Sequence, residues 1–489
     1  MTQTTASTMF SDFPPAGFKG IVLRPGDAGY AEARALPNAR YSTRQPALIA
    51  RCRDMEDIVM AVKYCAERDE PIAVRGGGHA IDGHAMPHDA FVIDMSLMKR
   101  IEVDPLTGVT TIEPGVLLGE MDAATQQHGY VVPSGTVSTT GAAGLTLGGG
   151  MGYLTRRFGM TVDNLLSVDV VTVDGRRLRA SEKDNPELFW GLRGAGHNLA
   201  IATAFTYQAH KVGPEIVSGL IVYPIEAAVP VLSGIDEVMV AAPRELTIYP
   251  VILPAPPLPG LPPQMIGAPI FVLIVVYTGE LAKYEEAIAA VRPLARPLAD
   301  MVHPSSWLEA NSLLDVLAPP GRRQHSRGGY LAALTPEIAQ AAVDLVSHAP
   351  APTGHGPSVA IAFPCLGGAN FDVAEDAMAY SREGAYWLWE VLGQWDTPDK
   401  DAEYERWVDS VMHALNPYSL RTGYVNLSTD RGAEWLRNLY GSPEKWQRIC
   451  ALKAEFDPRN LLSYNKNIAR AQAAAASLRA AGAMSSSTE

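Results

Sequence analysis

Arg75-Gly76-Gly77-Gly78-His79, closed by Gly83-His84, is the stretch that decides how this chain is read. It follows directly on Ile72-Ala73-Val74, a short apolar run with the composition of a strand. Three glycines in a row let backbone N–H groups approach a phosphate with no side chain in the way. The histidine after them delivers an imidazole to whatever the loop holds. A second glycine-rich stretch runs Gly141-Ala142-Ala143-Gly144-Leu145-Thr146-Leu147-Gly148-Gly149-Gly150-Met151-Gly152. Neither stretch fits the dinucleotide fingerprint G-x-G-x-x-G, whose third glycine would fall on Ile81 after Gly76 and on Tyr153 after Gly148. Neither contains the Gly-Lys-Ser/Thr of a P-loop. One such loop alone could serve tight turns only. Two of them, with a histidine in the first, point to a shared anionic ligand.

At 489 residues the chain is too long for one small core, and two domains is the expectation. Its 47% hydrophobic and 19% charged content is that of a soluble globular protein. The longest apolar run, residues 269–277, is strand-sized and short of a membrane span. Residues 1–18 carry neither a basic n-region nor an apolar h-region, so a cytoplasmic location is expected. The net charge of −13, with no basic block, argues against nucleic acid or an anionic membrane as partner. Cys52, Cys65, Cys365 and Cys450 have neither metal-ligand spacing nor a paired framework, so free buried thiols are expected. His84 and His88 share a helical spacing, but Pro87 lies between them, and no metal is expected.

Along the chain, residues 54–68 place Ile58, Val59, Val62 and Cys65 at helical spacing. Residues 90–95 read as a strand. Residues 100–103 and 109–113 flank Asp104-Pro105-Leu106-Thr107-Gly108, a hairpin with proper turn chemistry. Residues 117–128 read as a helix ended by Gly129. Past residue 212 the texture changes to longer strands (217–223, 270–277) alternating with amphipathic helices (284–291, 335–347). Two proline-rich breaks, residues 254–263 and 349–357, read as loops. The alanine-rich tail from Ala469 is expected to fray.

The glycine loops have company. Gly159, Asp163-Asn164, Leu188-Phe189-Trp190 with Arg193-Gly194, Tyr424-Val425-Asn426, Tyr440-Gly441, and Lys453 with Asp457-Pro458 occur in the same order as in a known family. On these residues the chain, from about Gln45 to Ile468, resembles the covalent flavoprotein oxidases of the vanillyl-alcohol oxidase superfamily. The berberine-bridge-enzyme-like branch, with bacterial 6-hydroxy-D-nicotine oxidase, is the nearest look. The resemblance implies an α+β fold: a two-subdomain PCMH-type FAD-binding domain and a substrate domain with an antiparallel sheet flanked by helices. The implied division is residues 1–212 for the FAD domain, 213–423 for the substrate domain, 424–468 returning to the FAD domain, and 469–489 as a flexible tail. A monomer or homodimer acting on a small molecule and O2 is expected.

The resemblance also implies site residues. FAD would lie between the two loops, singly and covalently attached through His79. Arg75, Gly76, Gly77, Gly78, Gly83, His84, Gly135, Thr136, Val137, Thr140, Gly141, Gly144, Gly148, Gly149, Gly150, Gly152, Asn164, Ile201 and Asn465 would line or hold it. Many relatives make a second flavin bond from a cysteine at the position of Val137, which this chain cannot make. Thr140 occupies the position lining the approach of O2, where a small residue favours oxidase chemistry. Relatives that oxidise nicotine-like amines carry acidic residues on the strand matching residues 358–364, and this strand has none. An apolar or aromatic metabolite is therefore expected as substrate, in secondary metabolism among other settings. The expected proton acceptor is a tyrosine, Tyr424 beside Asn426 or else Tyr153, with Tyr249 and His325 as substrate residues. A sugar or alcohol oxidase of the same fold, or a flavin-binding protein without turnover, are the alternatives.

Overall fold

The computed structural model describes residues 9–257, 261–354 and 357–485. Residues 1–8 of the N-terminal stretch, 258–260 and 355–356 of the proline-rich segments, and 486–489 of the tail lie outside the described residues.

Three strands near the N-terminus, Leu48–Arg51, Phe91–Asp94 and Ile72–Arg75, run parallel in that spatial order, with Ile21–Leu23 antiparallel at the edge. The helix Met55–Glu67 makes the crossover between the first and last of these parallel strands. The Asp54 side chain caps it by accepting from the Asp57 N–H, and Ile58, Val62 and Cys65 are buried on its inner face. Ile72–Arg75 ends where the first glycine loop begins. The loop thus sits beyond the carboxyl end of parallel strands, where such sheets bind ligands.

A second, antiparallel sheet orders Ile101–Val103, Val109–Ile112, Ile201–Gln208, Leu165–Val171 and Arg177–Ser181. The first two strands are the expected hairpin. Leu118, Leu188 and Phe189 share its core with Trp446, Ile449 and Leu452 from the helix Pro443–Phe456. The C-terminal part of the chain therefore packs beside this sheet.

The middle of the chain builds one large antiparallel sheet. Its order is Ala299–Asp300, Glu215–Pro224, Pro269–Tyr277, Leu246–Pro254, Val359–Ala362, Trp387–Trp395 and Arg323–Leu331, with His303–Ser306 paired to Glu215–Pro224. Helices Ala228–Ala241, Pro336–Ser347 and Asp401–Leu415 cover one face, burying Ile235, Ala342 and Val411 against Trp387, Trp389 and Val391. The other face turns toward the glycine loops. This is the α+β architecture expected, with the three long helices on one side of the large sheet.

The tail departs from expectation. Ile468–Ser485 is a helix, and Ile468 and Ala471 are buried in the second core. A run of alanines is the best helix former available, and two apolar contacts at its start anchor it.

Candidate active site

Between the glycine loops and the bare face of the large sheet lies a cavity of about 390 Å³. Its walls come from the two loops, from the large sheet, and from residues 424–427 and 462–466 near the C-terminus. The loops meet backbone to backbone. A Cβ on Gly77 would lie 2.5 Å from the Gly141 nitrogen, and one on Gly141 would collide with the Gly77 nitrogen in turn. Gly77→Ala should therefore push the loops apart, and the purified protein should carry well under half the wild-type flavin; full yellow colour would contradict this. Gly144 behaves differently. A Cβ there meets nothing within 4 Å, because its Cα faces the open cavity. A side chain at that position would fill the cradle.

Of the residues expected at the site, Gly76, Gly77, Gly78, His79, His84, Gly135, Thr136, Val137, Thr140, Gly141, Gly144, Ile201, Asn465, Tyr249, Tyr424 and Asn426 line the cavity together. His79 is half-buried, its Nε2 3.4 Å from Thr139 Oγ1. Burial holds its pKa below the ordinary imidazole range, partly opposed by a backbone hydrogen bond and by the Asp315 carboxylate. A neutral imidazole, the form with a free lone pair, is the result. His84 is lowered to about 4, by burial first and by Lys466 second. The four cysteines are free and buried, and none is among the lining residues.

Nine expected residues fall outside the cavity. The Arg75 guanidinium turns back to donate to the Ala33 carbonyl and faces Asp94 at 3.8 Å. Gly83, with φ of +63°, makes room for the Tyr41 ring. Gly148, Gly149, Gly150 and Gly152 allow close approach of Asn426, Tyr380 and Tyr424, Thr161, and the Ser134 carbonyl, respectively. These four glycines pack the cavity's supports against one another and are not among the residues that line it. Asn164 donates to the Phe158 and Met160 carbonyls and lies 2.6 Å from His210 Nε2. Tyr153 is buried behind the wall against Tyr249, their centroids 5.0 Å apart. His325 misses by one position. Alternation along Arg323–Leu331 turns it toward Asp409 on the helix side, while Gln324 lines the cavity.

Tyr424 and Asn426 act as a unit. The Tyr424 hydroxyl accepts from the Gly150 N–H and from Asn426 Nδ2, each at 3.0 Å. Asn426 Nδ2 also donates to the Leu145 carbonyl. Burial still pushes the phenol up to about 12, outweighing those donors. A phenol held so high is a poor proton acceptor near neutrality.

The better acceptor was not among the expected residues. Val359–Ala362 does bring only small apolar side chains, Ala360 and Ala362, to the cavity. Its neighbour Trp387–Trp395 brings Glu390, directly opposite Ala362. Burial raises this carboxyl to about 7, and a 3.5 Å hydrogen bond from Ser326 Oγ offsets only part of the effect. The pocket therefore holds a carboxylate after all. Tyr249 adds a hydroxyl with no hydrogen-bond partner among the described residues. His197, whose Nε2 lies 2.9 Å from the Gly144 carbonyl, and Lys466, paired to Asp82 at 3.2 Å, also line the cavity without having been expected.

These features fit FAD. Bare backbone at the loops and Gly144 offers N–H groups to a diphosphate, Lys466 supplies a cation, and His79 faces the same space. The comparisons agree. Residues 46–181 match the FAD binding domain family. The chain is 28% identical over 461 residues to (R)-6-hydroxynicotine oxidase of Paenarthrobacter nicotinovorans, covering 93% of this chain and 97% of the relative. It is also 28% identical over 459 residues to an FAD-linked oxidoreductase of Dictyostelium discoideum, covering 92% and 94%. The crystal structure of 6-hydroxy-D-nicotine oxidase from Arthrobacter nicotinovorans superposes with a TM-score of 0.82 at 25% identity, covering 93% of this chain and 99% of the other. A BBE-like protein of Physcomitrella patens has the same fold, with a TM-score of 0.80 at 20% identity over 91% and 95% of the two chains. With its glycine-loop cavity, its sheet-floored pocket and these relatives, the chain is an FAD-dependent oxidoreductase that carries an FAD binding domain and is similar in sequence and fold to 6-hydroxy-D-nicotine oxidase.

Proposed function

We propose that this protein is an oxidase of a small, largely apolar or aromatic metabolite, with FAD bonded singly through His79, Glu390 as the proton acceptor and O2 as the electron acceptor. The observation that carries the reading is one carboxyl, raised to about 7, facing the cavity from a sheet whose other lining side chains are apolar apart from Tyr249 and Gln324. Bound FAD supplies the hydride acceptor and passes the electrons on to oxygen. The chain does the rest. Val251, Ala360, Ala362 and Leu392 present a flat apolar surface to a ring system. Glu390 takes the proton of a hydroxyl or amine on the substrate as the neighbouring C–H is oxidised. Tyr424 and Asn426 brace the second loop against the C-terminal segment through Gly150 and Leu145. A sugar would find few hydrogen-bonding side chains on this floor, which weighs against the carbohydrate alternative.

The direct test is a panel of aromatic alcohols and amines mixed anaerobically with the holoenzyme. Bleaching of the flavin band, followed by recovery and H2O2 release on admitting air, supports the reading. Bleaching by oligosaccharides alone would replace it.

Thr140 lines the cavity next to Gly141, and its carbonyl accepts from the Leu118 N–H. Its side chain is small enough to leave space for a diatomic gas. Thr140→Leu should slow reoxidation by O2 at least tenfold and leave anaerobic reduction within about twofold, a difference of at least ~1.4 kcal/mol in one barrier only. Stopped-flow traces separate the two steps, and equal reoxidation rates would take Thr140 off the oxygen path.

A further inference from the structure

We propose that Gln324 is a second recognition point for the substrate, set far from Glu390, so that the enzyme takes an elongated molecule with polar groups at both ends. The inference rests on the oxidase reading above and adds a substrate shape to it.

Gln324 is buried, 6% exposed, and lines the cavity. Its backbone is clamped from both sides by one side chain. Asn38 Nδ2 donates to the Gln324 carbonyl at 3.0 Å, and the Gln324 N–H donates to Asn38 Oδ1 at 2.9 Å. The same Asn38 amide donates to the Ile81 carbonyl in the first glycine loop at 3.1 Å. The residue is thus fixed relative to the cofactor loop as well as to its own sheet. Yet its side-chain amide makes no hydrogen bond among the described residues. Its amide atoms are not sealed in the protein, so they are open to whatever fills the cavity. A rigidly held, unpartnered amide aimed into an apolar cavity is the kind of group that fixes the orientation of a ligand.

The sheet register gives the distance. Gln324 lies opposite Gln394, and Glu390 is four residues along that neighbouring strand on the same face. Four residues of antiparallel strand span about 14 Å between backbone positions. Hydrogen bonds at either end take up part of that span, leaving room for a frame of about two or three rings. Leu392 and Ala360 floor the space between, and Leu314 and Leu317 line it as well. The substrate class that fits is a flat or extended apolar skeleton. It has a proton-bearing oxygen or nitrogen at the reacting end and a carbonyl, amide or hydroxyl at the distal end.

Two biphenyl probes separate the outcomes: 4-phenylphenol, polar at one end, and 4′-hydroxybiphenyl-4-carboxamide, polar at both. Neither has an aliphatic C–H next to a heteroatom to oxidise, so both act as dead-end ligands. Binding to the holoenzyme is read from the shift of the flavin band at about pH 8, where a carboxyl raised to about 7 is ionised. Wild-type protein should bind the carboxamide about tenfold more tightly than 4-phenylphenol. Gln324→Leu, close in size, should bring that ratio to about one without changing the affinity for 4-phenylphenol. A wild-type ratio near one, a ratio that survives in Gln324→Leu, or no binding of either probe overturns the proposal. So does a Gln324→Leu protein whose flavin band is altered before any ligand is added, because the amide would then serve the cofactor. Failure of the Glu390 reading looks different. In that case Glu390→Gln leaves both affinities and their pH dependence unchanged while the Gln324→Leu effect persists.

Discussion

Replacing Glu390 with Gln should lower the rate of anaerobic flavin reduction by about 10²–10⁴-fold, the usual contribution of a general base. The amide keeps the size of the side chain and its contact with Ser326, and removes only the proton acceptor. The pH profile should change with it. The Glu390 carboxyl is raised to about 7 from its ordinary 4.5, so the base is protonated and idle below that value and ionised above it. Wild-type reduction should therefore climb as pH passes through about 7, and the Gln variant should lose that limb. Stability moves in the opposite sense. A carboxyl whose folded-state value is raised resists ionisation in the folded protein, so stability is lost as pH rises from the unfolded value through the folded one. The variant should be no less stable than wild type above neutrality, which separates a chemical defect from a folding defect. Tyr424→Phe is the matching control. If Tyr424 is a brace, its loss should leave the pH limb in place and cost about 1–3 kcal/mol in thermal unfolding, from the buried Gly150 N–H left without an acceptor. A Tyr424→Phe protein that loses the limb while Glu390→Gln keeps it would exchange the two roles.

His79→Ala should change the fate of the flavin completely. Acid precipitation of wild-type protein should leave the yellow colour in the pellet, and the same treatment of the variant should release all of it. The imidazole faces the cavity and is kept neutral by burial, so its lone pair is available to the flavin's methyl group. The glycine loops, Gly144 and Lys466 are untouched by the substitution, so FAD should still bind reversibly. Substrate reduction should slow by about tenfold or more, since a histidyl link raises the driving force for accepting a hydride. Free flavin in the wild-type supernatant would remove the covalent link from the proposal. Flavin held through a cysteine is already hard to arrange, because none of the four cysteines lines the cavity.

The glycine loops were legible because their requirement is local. Consecutive glycines after an apolar run need no knowledge of the rest of the fold, and Gly76 to Gly78, Gly141 and Gly144 all face the cavity. The meaning of Gly148 to Gly152 was not local. Those glycines answer to Asn426, Tyr380, Thr161 and Ser134, which only the folded chain brings near. Glu390 was invisible for another reason. Trp387-Leu388-Trp389-Glu390-Val391-Leu392 is apolar on both faces of its strand, so alternation did not say which face met the cavity. The answer depends on the helix Asp401–Leu415 taking the tryptophan side. The same parity decides between His325 and Gln324. An imidazole attracts attention in a sequence and an amide does not, yet the register gives the cavity to the amide.

The walls of the cavity are drawn from Ile72 at one extreme of the sequence to Lys466 at the other. The last of these walls is made long after the first. The first loop emerges before Tyr424, Asn426, Asn465 and Lys466 are made. The complete cavity, and full capture of the flavin with it, therefore waits until Lys466 has been made.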